Sequence, residues 1–486
     1  MVNKAKKHSV SRRSMIGLSA VAVAAAGAYF YLGYLLGNTS TTSSPTTTTS
    51  TSTTTTTPSS STSYSSSVTS TTSTIPSTTT NTSSSSTTTT TQGEYLKLAF
   101  ESSLAKNQPS SDIFIVNGTT GQDNGFETLI ELMGKNNLLF YNSAKEGQEG
   151  LIAKDDVLLI KVNSQWNERG GTNTDLLKAI IEAIKGHPDG FVGEIVVADN
   201  GQGGPGRGSL SDGGHFDYEK NNAEDVSQSV QKVVDSSTGS YKISTYLWDN
   251  ITLKKVEEYS KGDLEDGYVV QENVNEKTGI QVSYPKFKTK YGTYISFKNG
   301  LWDNQTQSYN NAKLKVINVP VLKTHSIYGV TGCTKHYMGV PSDRLTGGYG
   351  STLGGTHQSI GKGGMGTLMA ETRIPTLNIL DAIWINARPG KGPQTYYDTA
   401  TRVNVIMASK DPIALDYWAS KHVLLQIAQA HGYGLLYSVD PDFIPSSPNI
   451  PTIFSNWIRF SMEEIKKAGY QTTLKEDEMN VYVTNL

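Results

Sequence analysis

The stretch V-P-V-L-K-T-H-S-I-Y-G-V-T-G-C-T-K-H-Y-M-G-V-P, residues 319–341, indicates both the fold class and the place of a site. A largely apolar run at 316–322 leads into Lys323, and the pattern predicts a strand at 314–322. Ionisable side chains follow, separated by glycines and threonines, and this order is typical of the carboxyl edge of a sheet in α/β proteins. We therefore expect an α/β fold with a polar site at that edge, to which this stretch contributes Lys323, His325 and Lys335.

The runs on either side alternate between predicted strands and helices. D-V-L-L-I-K-V at residues 156–162 is almost continuously β-rich, as in a strand that is covered on both faces. G-T-N-T-D at residues 171–175 supplies a cap for a helix at 176–185, and a strand at 194–198 completes a β-α-β unit. This pattern predicts a mostly parallel, Rossmann-like sheet with helices on both faces. The other predicted elements are strands at 376–383 and 402–408 and helices at 412–430 and 455–467.

The first 37 residues resemble an export signal that serves as a membrane anchor. A basic beginning is followed by an apolar run of about 22 residues, which is long enough to cross a bilayer. S-R-R-S-M-I at residues 11–16 resembles the twin-arginine export signal, and the alternative is an ordinary signal anchor that carries two arginines. The run stays apolar beyond the cleavable triplet A-G-A at 26–28, so we expect a single retained membrane helix with the rest of the chain outside the cell.

Residues 38–92 consist almost wholly of serine and threonine. Such a segment buries too little apolar surface to offset its conformational entropy, so we expect a disordered, O-glycosylated stalk. Sequons at Asn117, Asn250 and Asn304 fit N-glycosylation of an exported chain. The α/β domain then occupies residues 93–486, within which short alternating runs and turn residues predict a β-rich insertion at about 240–310. The protein is thus expected at the cell membrane with this domain extracellular.

The composition argues against two classes of partner and cofactor. The net charge is −2 at pH 7 and no basic stripe occurs, so we expect no nucleic acid partner. Cys333 is the only cysteine, which argues against a cysteine-held iron–sulfur cluster and a four-cysteine zinc site.

Polar residues at the ends of other predicted strands are expected to face the same site. They are Lys161 and Asn163 after the first strand of the β-α-β unit, Asp199 after the second, and Asp381 after a later apolar run. Lys161 has the alternative of extending from a buried strand towards solvent. The glycine-rich segment at 201–208, with Arg207, either binds an anion through backbone N–H groups or is a flexible surface loop.

Two histidines are candidates for chemistry. His325 is crowded by Lys323 and Lys335, whose charges are expected to lower the pKa of its imidazole, and neutral imidazole accepts protons or binds metals. The alternative for His325 is a hydrogen-bonded structural role. His357 lies in a glycine-rich segment at 347–366, which is interpreted either as a lid over the site or as an irregular loop. Asp416, one turn into a predicted helix, faces either the site or solvent.

Several motifs occur in the order that resembles the family called domain of unknown function 362. They are I-K-V-N (160–163), G-T-N-T-D (171–175), I-V-V-A-D-N (195–200), V-P-V-L-K-T-H with G-V-T-G-C-T-K-H-Y-M-G (319–339), N-I-L-D-A-I (378–383) and S-K-D-P-I-A-L-D (409–416). The resemblance extends over most of residues 110–430. Many members of the family carry cysteine-rich ferredoxin segments, which this chain does not have, so no iron–sulfur chemistry is carried over.

That family is in turn distantly similar to the catalytic subunit of nickel-pincer lactate racemase. There, a histidine ten residues before a lysine, with glycines between them, handles substrate protons and the cofactor, and His325 and Lys335 have this spacing. A nickel-binding histidine follows in the racemase, and His357 is the candidate for it here, at a different spacing. The resemblance implies a divalent metal or a nickel-type cofactor held by His325 and His357, with isomerase-like or redox chemistry on a small anionic substrate.

Three functions are open at this point. The first is a surface enzyme in which His325 is the acid–base group or metal ligand, and Lys335, Lys161 and Asn163 hold a carboxylate or a cofactor phosphate. The second is a non-catalytic surface receptor that uses the same basic pocket for an anionic ligand. The third is a structural component of the cell surface.

Overall fold

The computed structural model describes residues 95–202, 213–347, 355–447 and 450–486. The predicted anchor and stalk lie outside these ranges, as do Arg207 with most of its loop and residues 348–354 of the predicted lid. Within the ranges described, no helix is long and apolar enough to cross a membrane.

These ranges contain eighteen strands and ten α-helices. The strands are β1 (Ser111–Asn117), β2 (Tyr141–Asn142), β3 (Ile152–Ala153), β4 (Val157–Lys161), β5 (Glu194–Asp199), β6 (Lys242–Leu247), β7 (Lys255–Val256), β8 (Gly267–Val274), β9 (Gln281–Lys288), β10 (Tyr294–Ser296), β11 (Gly300–Asp303), β12 (Ser308–Asn310), β13 (Leu314–Asn318), β14 (Val321–His325), β15 (Gly329–Thr331), β16 (Leu377–Asn386), β17 (Thr401–Ser409) and β18 (Met479–Asn485). The helices are α1 (Gly125–Lys135), α2 (Thr174–Lys185), α3 (Val230–Ser237), α4 (Cys333–His336), α5 (Asp343–Thr346), α6 (Thr356–Ser359), α7 (Gly364–Glu371), α8 (Pro412–Ala419), α9 (Leu425–Ala430) and α10 (Phe454–Lys467).

Ten of the strands form one sheet, whose main path runs β18-β1-β17-β16-β13-β4-β5-β6. β14 pairs with β16, and β15 pairs with β14. The neighbours from β16 to β6 are all parallel, whereas β17 runs antiparallel to both of its neighbours. The predicted mostly parallel α/β sheet is therefore confirmed, and the carboxyl ends of β4, β5, β13 and β16 meet at one edge.

Helices cover both faces of this sheet, because successive side chains of a strand point to opposite sides. Leu158 and Ile160 of β4 pack into one core with helices α1, α2 and α3. Val157 and Leu159 pack into a second core with helices α7 to α10. Full burial of one such aliphatic side chain contributes roughly 1.5–3 kcal/mol, so these two cores fix where the helices sit on the sheet.

A second sheet of six strands packs into the core that holds Leu159. Its order is β12-β11-β10-β9-β8-β7, and it is antiparallel except for the pair β7–β8. The predicted insertion at 240–310 contains this sheet but begins too early. Residues 242–247 form β6, which pairs with β5 at the edge of the large sheet, so the inserted sheet begins at β7.

The strand predicted at 314–322 is broken into β13 and β14. The break falls at Val319 and Pro320, and proline has no N–H for a sheet ladder. Lys323 and His325 consequently lie within β14 and not after the end of a strand. Asp381 was likewise expected at a strand end, but β16 continues to Asn386 and places Asp381 in its middle.

The predicted helix at 412–430 consists of α8 and α9 joined by a π-helical segment at Ser420–Leu424. Pro412 occupies its first turn and Asp411 is its N-cap, accepting hydrogen bonds from the N–H groups of Ile413 (2.9 Å) and Ala414 (3.1 Å). Asp411 also accepts from the hydroxyls of Ser111 (2.6 Å) and Thr472 (2.7 Å), so it joins β1 to the carboxyl-terminal segment.

Candidate functional site

A buried ion pair lies at the carboxyl ends of β4 and β5. The Lys161 Nζ is 2.7 Å from Oδ1 of Asp199, and the two side chains are 0% and 4% exposed. The other carboxylate oxygen accepts from the backbone N–H (2.8 Å) and the hydroxyl (2.9 Å) of Ser164. Burial lowers the pKa of Lys161, and the charge of Asp199 opposes that effect. Because each charge neutralises the other, the pair is a neutral structural support at this edge of the sheet.

Gly339, near the end of the opening stretch, packs directly on this ion pair. A Cβ at this position would lie 2.4 Å from Oδ1 of Asp199 and 2.7 Å from Nζ of Lys161. The glycine therefore reflects close packing of the chain against two buried charges.

The variant Gly339→Ala is expected to be less stable than the wild type by about 1–3 kcal/mol, because the methyl group overpacks a rigid ion pair. The loss is measured by urea unfolding of the full-length protein. Gly434→Ala is the matched control, since a Cβ there has no neighbour within 4 Å. An equal loss in both variants would contradict the packing argument.

Lys323 and Lys335 are two buried cations without a carboxylate partner. Lys323 is 0% exposed and Lys335 is 7% exposed. The ammonium group of Lys323 donates to the carbonyl of Gly170, whereas that of Lys335 makes no hydrogen bond within the described ranges. Neither ammonium has a carboxylate oxygen within 4.0 Å in the described parts of the chain.

The pKa values of both lysines are lowered. Burial, assisted by the charge of Lys335, lowers the pKa of Lys323 to about 7. Burial alone lowers the pKa of Lys335 to about 8. Thr331 lies directly opposite Lys323 in the β14–β15 pair, and its buried hydroxyl has no partner among the described residues. The carboxyl edge thus holds cations and a hydroxyl whose hydrogen-bonding capacity is incompletely used.

His325 is held in one tautomer by the backbone. Its Nδ1 accepts from the N–H groups of Ile327 (3.0 Å) and Tyr328 (3.2 Å). A nitrogen that accepts keeps its lone pair, so the proton of the neutral ring must lie on Nε2. Burial, helped by the charge of Lys335, lowers the pKa of His325 well below its ordinary value. His325 is therefore a neutral ring that can donate one hydrogen bond through Nε2.

This tautomer does not fit the expected metal site. A metal bound to Nε2 would move the ring proton to Nδ1, which faces two backbone N–H donors. His357 is half-buried; loss of solvent and the charge of Lys335 lower its pKa to about 3, and its Nδ1 lies 4.0 Å from Oδ2 of Asp343. Within the described ranges, no group of three or more His, Cys, Asp or Glu residues could hold a metal ion. We accordingly derive no chemistry through a metal or nickel-type cofactor.

Tyr328 connects the members of the cluster and was not singled out from the sequence. Its ring centroid lies 5.6 Å from that of His325 and 5.9 Å from the ammonium of Lys335. Its hydroxyl donates to the backbone carbonyl of His357. The only sequence signal was its position in the short turn between β14 and β15.

Asp381 and Asn163 take different positions at the edge. Asp381 is fully buried, and its carboxylate accepts from the backbone N–H groups of Asn173 (2.9 Å) and Ile383 (3.1 Å). Burial raises the pKa of Asp381 to about 6. These bonds make Asp381 a support for the start of α2. Asn163 is half-buried, and its Oδ1 has no partner in the described ranges, which leaves an acceptor at the edge.

Asp416 and two glycines shape the loop between Lys323 and Lys335. The carboxylate of Asp416 accepts from the N–H groups of Cys333 (2.6 Å) and Thr334 (2.8 Å) at the start of α4. A Cβ on Gly332 would lie 2.2 Å from this carboxylate, and one on Gly329 would lie 1.9 Å from the carbonyl oxygen of Ser438. Asp416 therefore faces neither the site nor solvent, and it positions the segment that carries Lys335.

One predicted glycosylation position is wrong. Asn117 is 3% exposed within β1, and its amide nitrogen donates to the carbonyl of Leu98 (3.0 Å) and to Oδ1 of Asn485 (3.0 Å). A glycan has no space there. Asn250 and Asn304 are exposed and remain predictions.

Surface clefts lie apart from the polar cluster. One of about 190 Å³ is lined by residues that include Phe100, Trp418, His422 and Glu476, and none of the predicted site residues contributes to it. Another lies beside Asp156 and Lys313. The polar cluster is thus a group of mostly buried side chains at the sheet edge.

Comparison with known proteins gives one match. Residues 304–421 match the family described as domain of unknown function (DUF362). No significant match was found among curated proteins or among solved structures. The matched segment includes Lys323, His325, Lys335, His357 and Asp381, whereas Lys161, Asn163 and Asp199 precede it.

Proposed function

Residues 304–421 of this chain carry a domain of the family described as domain of unknown function (DUF362), and on that premise we propose that the site to which they contribute binds a small anionic molecule. One observation carries the proposal: Lys323 and Lys335 are buried without a carboxylate within 4.0 Å in the described ranges. An uncompensated buried ammonium costs several kcal/mol, and a bound anion would offset that cost.

The chemistry that suits this site is proton transfer at a carbon atom next to a carboxylate. Lys335, with a pKa of about 8, is close enough to neutrality to take or return a proton near pH 7. The Nε2–H of neutral His325 would donate to the oxygen on which negative charge develops. We therefore retain the isomerase-like reaction as the proposed chemistry and assign the proton transfer to Lys335.

A non-catalytic receptor for the same anion is the second candidate. The tautomer of His325 favours it, because Nδ1 accepts two backbone hydrogen bonds and only Nε2 carries a proton that the ring could exchange. Lys323 donates to the carbonyl of Gly170, so among the three residues Lys323, His325 and Lys335 only Lys335 has an ammonium group without a hydrogen-bond partner in the described ranges. An enzyme that removes and returns a proton usually needs more than one such group, whereas a receptor needs none. The membrane anchor and stalk proposed for residues 1–92 would present either an enzyme or a receptor at the cell surface.

Anion binding is expected to weaken as the pH rises. An anion is bound most tightly while both lysines carry a proton, and their pKa values of about 7 and about 8 lie below the ordinary value. The affinity for butanoate should therefore be highest below about pH 7 and fall as first Lys323 and then Lys335 loses its proton, by roughly tenfold per pH unit for each lysine. Isothermal titration of the full-length protein measures this, and an affinity unchanged between about pH 6 and pH 9 would sink the proposal.

Deuterium exchange separates the enzyme from the receptor. The full-length protein is incubated in D₂O with unsubstituted, 2-hydroxy and 2-amino carboxylates, and mass spectrometry follows deuterium at the carbon next to the carboxylate. Incorporation that is lost in Lys335→Met supports the enzyme. Binding of these carboxylates without incorporation supports the receptor.

A further inference from the structure

Arg169 is a third buried cation at the same edge of the sheet. It lies in the 3-10 turn Glu168–Gly170, between β4 and α2, and is 7% exposed. Its guanidinium carbon is 4.1 Å from the ring centroid of Trp384 and 5.0 Å from that of Tyr397. These aromatic contacts hold the guanidinium in place, and a guanidinium keeps its charge even when it is buried.

The hydrogen-bonding capacity of Arg169 is only partly used. One terminal nitrogen donates to Oδ1 of Asn222 (3.2 Å) and to the carbonyl of Ala223 (2.9 Å). Its Nε–H is buried and has no partner in the described ranges. No carboxylate oxygen of the described residues lies within 4.0 Å of it. The hydrogen-bond partners of Arg169 are therefore all neutral, although its guanidinium carries a full charge.

Arg402 provides an internal comparison, because it contacts the same tryptophan. Its guanidinium carbon lies 5.3 Å from the ring centroid of Trp384. Its charge is paired with Glu224, whose Oε1 lies at 2.7 Å, and its Nε donates to Oδ1 of Asn404 at 2.8 Å. The carboxylate of Glu168, in the same turn as Arg169, accepts instead from the N–H of Tyr397. One of the two arginines on this ring is neutralised and the other is not.

Arg169 is joined to the lysine cluster through its neighbours. The carbonyl of Gly170 accepts from the ammonium of Lys323. The amide of Asn222 accepts from Arg169 and donates to Asp381 (3.4 Å). The unneutralised guanidinium thus belongs to the same edge as the two unneutralised lysines.

We propose that Arg169 binds a second anionic group, so that the ligand of this site is a small dianion such as a dicarboxylate. This inference rests on the proposed function and narrows its ligand class. The planar guanidinium presents parallel N–H groups to a carboxylate, which a lysine does not.

The test uses ligands that differ only in the second carboxylate. Butanoate is compared with succinate, and hexanoate with adipate, by isothermal titration of the full-length protein at about pH 6. At least one dicarboxylate is expected to bind about tenfold or more tightly than its matched monocarboxylate, because a charge-assisted pair is added. Arg169→Gln should abolish this advantage, so that this variant binds each dicarboxylate no more tightly than its matched monocarboxylate. Arg402→Gln is the control and should retain the advantage.

The outcomes distinguish the inference from the function on which it rests. The role of Arg169 is overturned if each dicarboxylate binds only as tightly as its matched monocarboxylate, or if the dicarboxylate advantage survives in Arg169→Gln. In either case, binding of butanoate would still support the anion site. Failure to bind any of the four carboxylates overturns both. Should Arg169→Gln not fold, Arg169→Lys is measured in its place. Lysine keeps the positive charge but does not have the two parallel N–H groups of the guanidinium, so this variant is expected to lose most of the preference for dicarboxylates. An unchanged preference contradicts the inference.

Discussion

Replacing Asp199 by Asn is expected to lower the free energy of unfolding by about 3–5 kcal/mol, the cost of leaving a buried charge without its partner. The ammonium of Lys161 is 0% exposed and lies 2.7 Å from Oδ1 of Asp199. Its cationic form has no other carboxylate within 4.0 Å in the described ranges. The variant should therefore favour neutral Lys161 and lose stability at neutral pH. Urea unfolding of the full-length protein at about pH 7 measures the loss.

A double-mutant cycle separates the ion pair from general packing. Lys161→Met alone leaves the carboxylate of Asp199 buried without its cation, although Ser164 still donates two hydrogen bonds to it. The double variant, with Lys161→Met and Asp199→Asn, should be more stable than the sum of the two single losses predicts, by about 1–3 kcal/mol. If the losses of the two single variants simply add up in the double variant, the charge interaction between Lys161 and Asp199 makes no contribution to stability.

Replacing Lys335 by Met is expected to stabilise the fold and to weaken anion binding. Burial lowers the pKa of Lys335 to about 8 from an ordinary value of 10.5, a difference that corresponds to about 3 kcal/mol at pH 7. Methionine has a similar length without a charge. The gain in unfolding free energy is therefore expected to lie at about 1–3 kcal/mol near pH 7, while the affinity for butanoate falls by more than about tenfold.

The pH dependence gives this prediction its sign. Because the folded-state pKa of Lys335 lies below the unfolded one, the unfolded chain binds more protons between about pH 8 and pH 10.5. The stability of the wild type should accordingly rise with pH across that window, and the rise should be smaller in Lys335→Met. Lys335→Arg keeps the charge and serves as the control. A variant no more stable than the wild type near pH 7 would contradict the cost assigned to Lys335.

Much of the fold followed from local patterns. The strands at 156–162 and 194–198 and the helix at 176–185 agree with β4, β5 and α2 to within two residues at each end. These segments are long, periodic and capped, so their structure depends on neighbouring residues alone. The strands β1 and β18 were not expected, because each is stabilised by pairing with a partner more than three hundred residues away.

Less of the site followed from the same patterns. The stretch at 319–341 identified Lys323, His325 and Lys335 as candidates, and all three side chains are buried in the structure. The local pattern does not explain the glycines at 329, 332 and 339, because it is close contacts with distant segments that require them. Arg169 was not considered, because its sequence neighbours contain no motif that distinguishes it from a surface arginine.

By itself, the sequence determined the elements with strong local signals and the polar stretch that carries Lys323, His325 and Lys335, because periodicity, caps and turn residues act over a few positions. Only the tertiary structure decided the state of each group. Lys161 finds a carboxylate 38 residues away, whereas Lys323, Lys335 and Arg169 find none within 4.0 Å in the described ranges. Two backbone N–H groups set the tautomer of His325. Charge and proton placement depend on distances between remote segments, and those distances exist only once the chain has packed.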